Sequence, residues 1–194
     1  MTTEAPGPGS FFQQASGHKR GAFHFRPFLL FLYQMLPDDT RNKIKDIVRG
    51  ISIAGGQDPC SAIRNLLCGS FATSTTVKKE FESKSIVKKE QEVFLETYCN
   101  SNNFWVSDLP GEDNYLTRGG EARVYLDSDK KSVIKLNDAI YYATWLEFFN
   151  SLVLHNLIFK NTTYNLLGFA KENNVLYAVL RQPFIKSDAQ VPIW

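Results

Sequence analysis

Gly119-Gly120-Glu121-Ala122-Arg123-Val124-Tyr125-Leu126, followed by Val133-Ile134-Lys135-Leu136, decides the fold of this 194-residue chain. A glycine pair opens an alternating apolar strand. Asp127 to Lys131 then reads as a polar turn, and the next apolar strand carries one lysine in its middle. Glycines let a backbone close on a polyanion, and a lysine ammonium neutralises phosphate charge. The full pattern G-x-G-x-x-G-x-V is reduced here to Gly119, Gly120 and Val124, with Ala122 in place of a third small residue.

The period-two pattern extends on both sides of this hairpin. Strands are predicted at Tyr115 to Thr117, Ala122 to Leu126, Ser132 to Leu136, Asn165 to Lys171 and Val175 to Arg181. Glu172-Asn173-Asn174 is the loop of the last pair. Between the third and fourth strands, Asn137 or Asp138 is read as the cap of a long helix running to Phe159.

Taken in order, six blocks resemble the amino-terminal lobe of the serine/threonine/tyrosine kinase domain of bacterial polyvalent proteins of phages and mobile elements. They are Gly119-Gly120-Glu121-Ala122-x-Val124-Tyr125, Ile134-Lys135-Leu136, Trp145-Leu146-Glu147-Phe148-Phe149, Leu154 to Phe159, Tyr164-Asn165-Leu166-Leu167-Gly168-Phe169 and Gln182-Pro183-Phe184-Ile185. The resemblance covers Lys89 to Ile185, roughly half of the chain. It implies an α+β lobe, an antiparallel sheet with one long helix, preceded here by a small helical region. It also implies a magnesium–ATP site formed by Gly119, Gly120, Val124, Lys135 and Glu147, with backbone groups of Gln182, Phe184 or Ile185 meeting the adenine edge. Pro183 has no N–H to offer. Glu147 is the only acidic residue between Asp138 and Glu172, and so the candidate partner of Lys135, although the interval of twelve residues is short for a kinase helix. Glu121 would repel phosphate unless it points outward.

No H-R-D or D-F-G pattern occurs in the chain, and nine residues follow Ile185. The resemblance therefore implies a nucleotide lobe truncated after the hinge. Alone it would be inactive, binding ATP weakly or not at all, and it would be completed by a separate carboxy-terminal lobe. An exposed apolar cleft floor near Leu180, Phe184 and Ile185 would receive that partner. The alternatives are a non-catalytic interaction or scaffold protein of a mobile element, and a toxin–antitoxin component.

Upstream, residues 1–21 read as a disordered leader rich in Gly, Pro, Ser and Thr. Residues 22–74 read as a small helical module. Phe28 to Leu36 is a short apolar helix, and Asp38 or Asp39 caps a second that Gly55-Gly56 ends. Asp58-Pro59 opens a third, which Gly69 stops. The remainder, 75–194, begins with a helix from Thr75 to Asn100 whose Lys and Glu pairs form a solvated face.

A net charge of +2 gives no reason to expect nucleic acid. The apolar stretch at Phe28 is too short for a bilayer, which needs about 20 residues, and no membrane association is expected. Cys60, Cys68 and Cys99 form no C-x-x-C pair and read as thiols of a reducing, cytoplasmic compartment. His18, His24 and His155 have no ligand-spaced neighbours, so no metal site is expected, and His155 reads as a satisfied residue fixing a helix end.

Overall fold

The computed structural model describes residues 34–55, 57–71 and 81–185. The expected leader and the apolar stretch from Phe28 to Tyr33 lie outside the described residues, as do Gly56 and the start of the helix read from Thr75. Contacts divide the chain at Pro37 into two units. The architecture that follows is that of the second unit.

Among its described residues, four α-helices and five strands run in the order α1 (Asp38–Val48), α2 (Pro59–Phe71), α3 (Phe81–Asn102), β1 (Tyr115–Arg118), β2 (Ala122–Leu126), β3 (Ser132–Asn137), α4 (Trp145–Ile158), β4 (Asn165–Glu172) and β5 (Val175–Pro183). The strands form one antiparallel sheet of order β1-β2-β3-β5-β4. This is the α+β, kinase-like amino-terminal lobe that the strand pattern and the resemblance implied. Alternation divides the sheet into two faces. On one face Leu166, Leu176, Ala178 and Leu180 pack under α4, around the rings of Trp145, Phe148, Phe149 and Phe169. These rings meet edge-on or tilted, with Trp145 and Phe148 centroids 5.6 Å apart. Each such pair adds about 0.5–1.5 kcal/mol beyond the area it buries. On the other face Tyr125, Ile134, Leu136, Ala170 and Val179 form a second cluster, covered by Val106 and Leu109.

The helices that precede the lobe share its core. Ile47, Ile53, Cys60, Ile63 and Leu67 are buried in the same cluster as Trp145 and Phe149, so the packing is continuous across the boundary read near residue 74. Arg64 of α2, fully buried, donates to the carbonyls of Ile47 and Ile51 and to Oδ1 of Asn150 on α4, the last at 3.0 Å. α3 grips the start of α4. Lys88 Nζ donates to the carbonyl oxygens of Ala139 (2.7 Å) and Tyr142 (3.2 Å), and Oε1 of Gln91 accepts from the Leu146 N–H.

Several element ends differ from the sequence reading. α1 ends at Val48, not at Gly55-Gly56, because Gly50 takes the left-handed conformation (φ 69°) that closes a helix. α2 passes Gly69 to Phe71, whose ring packs edge-on against Phe94 and holds the last turn. α4 begins at Trp145, not at Asp138. Asn137 and Asp138 cap tight turns instead, accepting from the N–H groups of Ala139 and Ile140, and the true cap is Thr144, which accepts from the Glu147 N–H. The three cysteines are free and buried, and desolvation pushes Cys60 and Cys99 up to about 12, so neither carries thiolate at neutral pH. Among the described residues no helix is long and apolar enough to cross a membrane.

Candidate functional site

Strand register builds the site. Val124 of β2 lies directly opposite Lys135 of β3, and Lys135 opposite Leu180 of β5. Residues directly opposite share a face, so these three side chains make one row across the sheet, on the side that α4 covers. Above the row stands the β1–β2 turn. Arg118 pairs with Arg123, and the Gly119 N–H donates to the Ala122 carbonyl at 3.0 Å, closing the turn over Gly120 and Glu121. Neither glycine has a positive φ. Their use here is small size, since a Cβ on Gly120 would stand 3.1 Å from the Tyr141 hydroxyl.

Turn, sheet and helix enclose a cleft of about 420 Å³, within the range of roughly 300–1,000 Å³ common for ligand sites. Gly119, Gly120, Ala122, Val124 and Lys135 line it, so these residues share one cleft. The helix contributes Phe148, Ser151, Leu152 and His155, one stripe at helical spacing. Tyr142 and Tyr164 close the sides, and the Tyr142 hydroxyl donates to Ser151 Oγ at 3.2 Å. Ser151, Tyr142 and Tyr164 were not legible as site residues, because they arrive from a helix face and from turns whose ends the pattern did not fix.

Lys135 is half-buried, and among the described residues no carboxylate comes within 4 Å of it. Desolvation lowers its pKa from the ordinary lysine value, and the charge of exposed Glu121 at the cleft rim opposes that shift. Its Nζ stands 5.1 Å from the centroid of the Tyr164 ring. A second cleft, on the opposite face of the sheet, is lined by Val106, Leu109, Ile134 and Arg181. Its cation is already compensated, since Arg181 lies 2.7 Å from both Asp127 and Asp129. In the Lys135 cleft, by contrast, no carboxylate among the described residues pairs with the lysine.

Glu147 is placed elsewhere. It does not line the cleft. Its carboxylate accepts from the Ala143 N–H at 3.1 Å and lies 3.5 Å from Lys84 of α3. With the Thr144 cap this makes a reciprocal arrangement at the start of α4, close to a capping box. Because the helix begins seven residues later than the sequence reading placed it, Glu147 falls in the first turn, where orphan N–H groups claim a carboxylate. Glu147→Gln should therefore cost no more than about 1 kcal/mol of stability and leave nucleotide affinity unchanged. Parallel melting and binding measurements check this; an affinity loss equal to that of a Lys135 variant would restore the Lys135–Glu147 pair.

The segment after β5 also departs from expectation. The Phe184 N–H donates to the Lys131 carbonyl at 2.8 Å. In an antiparallel ladder such bonds recur every second residue, which turns the Gln182 N–H toward Val133. Neither N–H is open to a ligand, and Ile185 is the described residue of this block that remains. The Gln182 side chain instead donates to the Thr162 carbonyl at 2.7 Å. Leu180, expected as exposed cleft floor, is buried, whereas Ile185 is exposed. His155 is satisfied, as its sequence context implied, with Nε2 2.8 Å from the Thr162 carbonyl oxygen and 3.1 Å from its hydroxyl.

A family model described as a serine/threonine/tyrosine kinase found in polyvalent proteins matches residues 88–192, more than half of the chain. The chain belongs to this family. The match takes in all five strands, α4 and most of α3, so the polyvalent-protein kinase domain here includes the helix that grips the start of α4. No curated protein and no solved structure matches the chain.

Proposed function

We propose that this chain supplies the nucleotide lobe of a polyvalent-protein kinase, holding the phosphates of magnesium–ATP between the Gly119-Gly120 turn and Lys135. The observation that supports it best is the unpaired, half-buried Lys135 facing the same cleft as both glycines. A half-buried cation with no carboxylate in contact favours an anionic ligand, because the ligand returns what desolvation removed. Val124, opposite Lys135, offers an apolar side to the ligand. Glu121 is the one carboxylate on the cleft wall among the described residues. Magnesium is usually bound by one or two carboxylates together with phosphate oxygens, so in this reading the ion enters with the nucleotide.

Phosphoryl transfer further needs a base for the acceptor hydroxyl and metal-binding acids. The 194 residues contain neither an H-R-D nor a D-F-G pattern. In this reading those groups come from a carboxy-terminal lobe outside these residues, on the same or another chain, and the lobe described here binds without transferring.

The test is titration of the protein with a non-hydrolysable magnesium–ATP analogue, against Lys135→Met. The variant should lose affinity at least about tenfold, as expected for a charge-assisted contact of roughly 1.5–3 kcal/mol, while its melting temperature stays close to that of the parent. Equal affinity in both proteins would end the reading.

A further inference from the structure

Lys135 meets an aromatic ring where a kinase-like lobe would offer a carboxylate. The cleft side of α4 carries Phe148, Ser151, Leu152 and His155, none of them acidic, and Glu147 is committed to the helix cap. The ring under the ammonium is held from several directions. Asn156 clamps the Tyr164 backbone on both sides, donating from Nδ2 to its carbonyl at 2.8 Å and accepting from its N–H at 2.7 Å. The His155 ring packs against it with centroids 4.7 Å apart. The Gln182 side chain is anchored on Thr162, donating to its carbonyl at 2.7 Å. Thr162 in turn anchors His155.

The geometry points to Tyr164 as the positioning residue of Lys135, orienting the ammonium toward the glycine turn through its ring face. This rests on the reading of Lys135 as the phosphate-binding lysine, and it changes what that lysine can do. A carboxylate partner orients a lysine and also compensates its charge. A ring face attracts the ammonium through its quadrupole and leaves the net charge intact. Lys135 therefore presents its whole positive charge to an incoming polyphosphate, with Glu121 at the cleft rim as the neighbouring acid. The contact depends on the ring and not on the hydroxyl, so Tyr164→Phe should preserve it and Tyr164→Leu should abolish it.

The test uses carbon-13 NMR of lysine ε-methylene groups in the nucleotide-free protein, with Lys135→Met assigning the resonance. A methylene over a ring face is displaced upfield. The displacement should be present in the parent and in Tyr164→Phe and absent in Tyr164→Leu. In the same samples, affinity for the magnesium–ATP analogue should be retained in Tyr164→Phe and fall about fivefold in Tyr164→Leu. An undisplaced Lys135 resonance in the parent overturns the proposal, even where Tyr164→Leu does not fold. A displaced resonance in a parent protein that binds no analogue upholds the positioning contact and overturns the nucleotide reading, so the two fail separately.

Discussion

Gly168→Ala should lower the melting temperature by about 10 °C, the shift that a loss of roughly 3–4 kcal/mol produces in a chain of this size. Two penalties combine. Gly168 has φ 151°, a conformation that side chains rarely adopt. A Cβ there would also stand 2.4 Å from the Phe104 carbonyl oxygen and 3.0 Å from Val106. Phe104 cannot yield cheaply. Its carbonyl accepts from the Phe169 N–H at 3.0 Å, and the Val106 N–H donates to the Phe169 carbonyl at 2.8 Å. These two bonds form the short parallel bridge of Trp105 with Phe169 that seals the outer edge of β4. The register of β4 against β5 slips between Leu166 and Gly168, leaving Leu167 unpaired, so the glycine follows a bulge at the point where the Phe104–Val106 segment approaches. Thermal denaturation followed by circular dichroism checks the prediction. A shift below about 3 °C, worth roughly 1 kcal/mol, would show that the bridge relaxes around a methyl group.

Arg64→Ala should be comparably severe, costing about 3 kcal/mol or more. The guanidinium is fully buried yet meets no carboxylate in hydrogen-bond contact. It is satisfied by the carbonyl oxygens of Ile47 and Ile51 and by the side chains of Asn65 and Asn150. The two carbonyls lie at and just beyond the carboxy-terminal end of α1, where the helix dipole favours a cation. Truncation would leave several buried acceptors unpaired and a void between α2 and α4. Burial lowers the Arg64 pKa, but arginine stays charged throughout the accessible pH range. The loss should therefore be the same at pH 6 and pH 9. Urea unfolding of parent and variant at both pH values measures it. A variant of parental stability would make α1 and α2 an appendage instead of part of the lobe's core.

These two residues also show where sequence reading ends. The sheet was legible because alternation is a local property. β2 was read at its observed bounds, and the other strands to within two residues. The Val124–Lys135 row follows from that hairpin alone. α4 was misplaced at its start because Asn137 and Asp138 suit a helix cap and a tight turn equally, and tertiary packing on Gln91 and Lys88 selects the turn. That shift carried Glu147 away from Lys135. Tyr164 could not be assigned, because its place under Lys135 depends on how the turn after α4 returns to the sheet. Gly168 and Arg64 look ordinary in sequence. One matters through a backbone that arrives from Phe104, the other through helix ends far along the chain.

In the proposed function, magnesium–ATP phosphates lie between the glycine turn and Lys135. Amide NMR during titration with a non-hydrolysable analogue tests it most directly. Saturable shifts are expected, centred on Gly119, Gly120, Val124 and Lys135 and reaching Tyr164 and Ser151, with none at Leu109, Asp127 or Val179 on the opposite face of the sheet. Saturable shifts confined to that opposite face, or none at millimolar analogue, would contradict it.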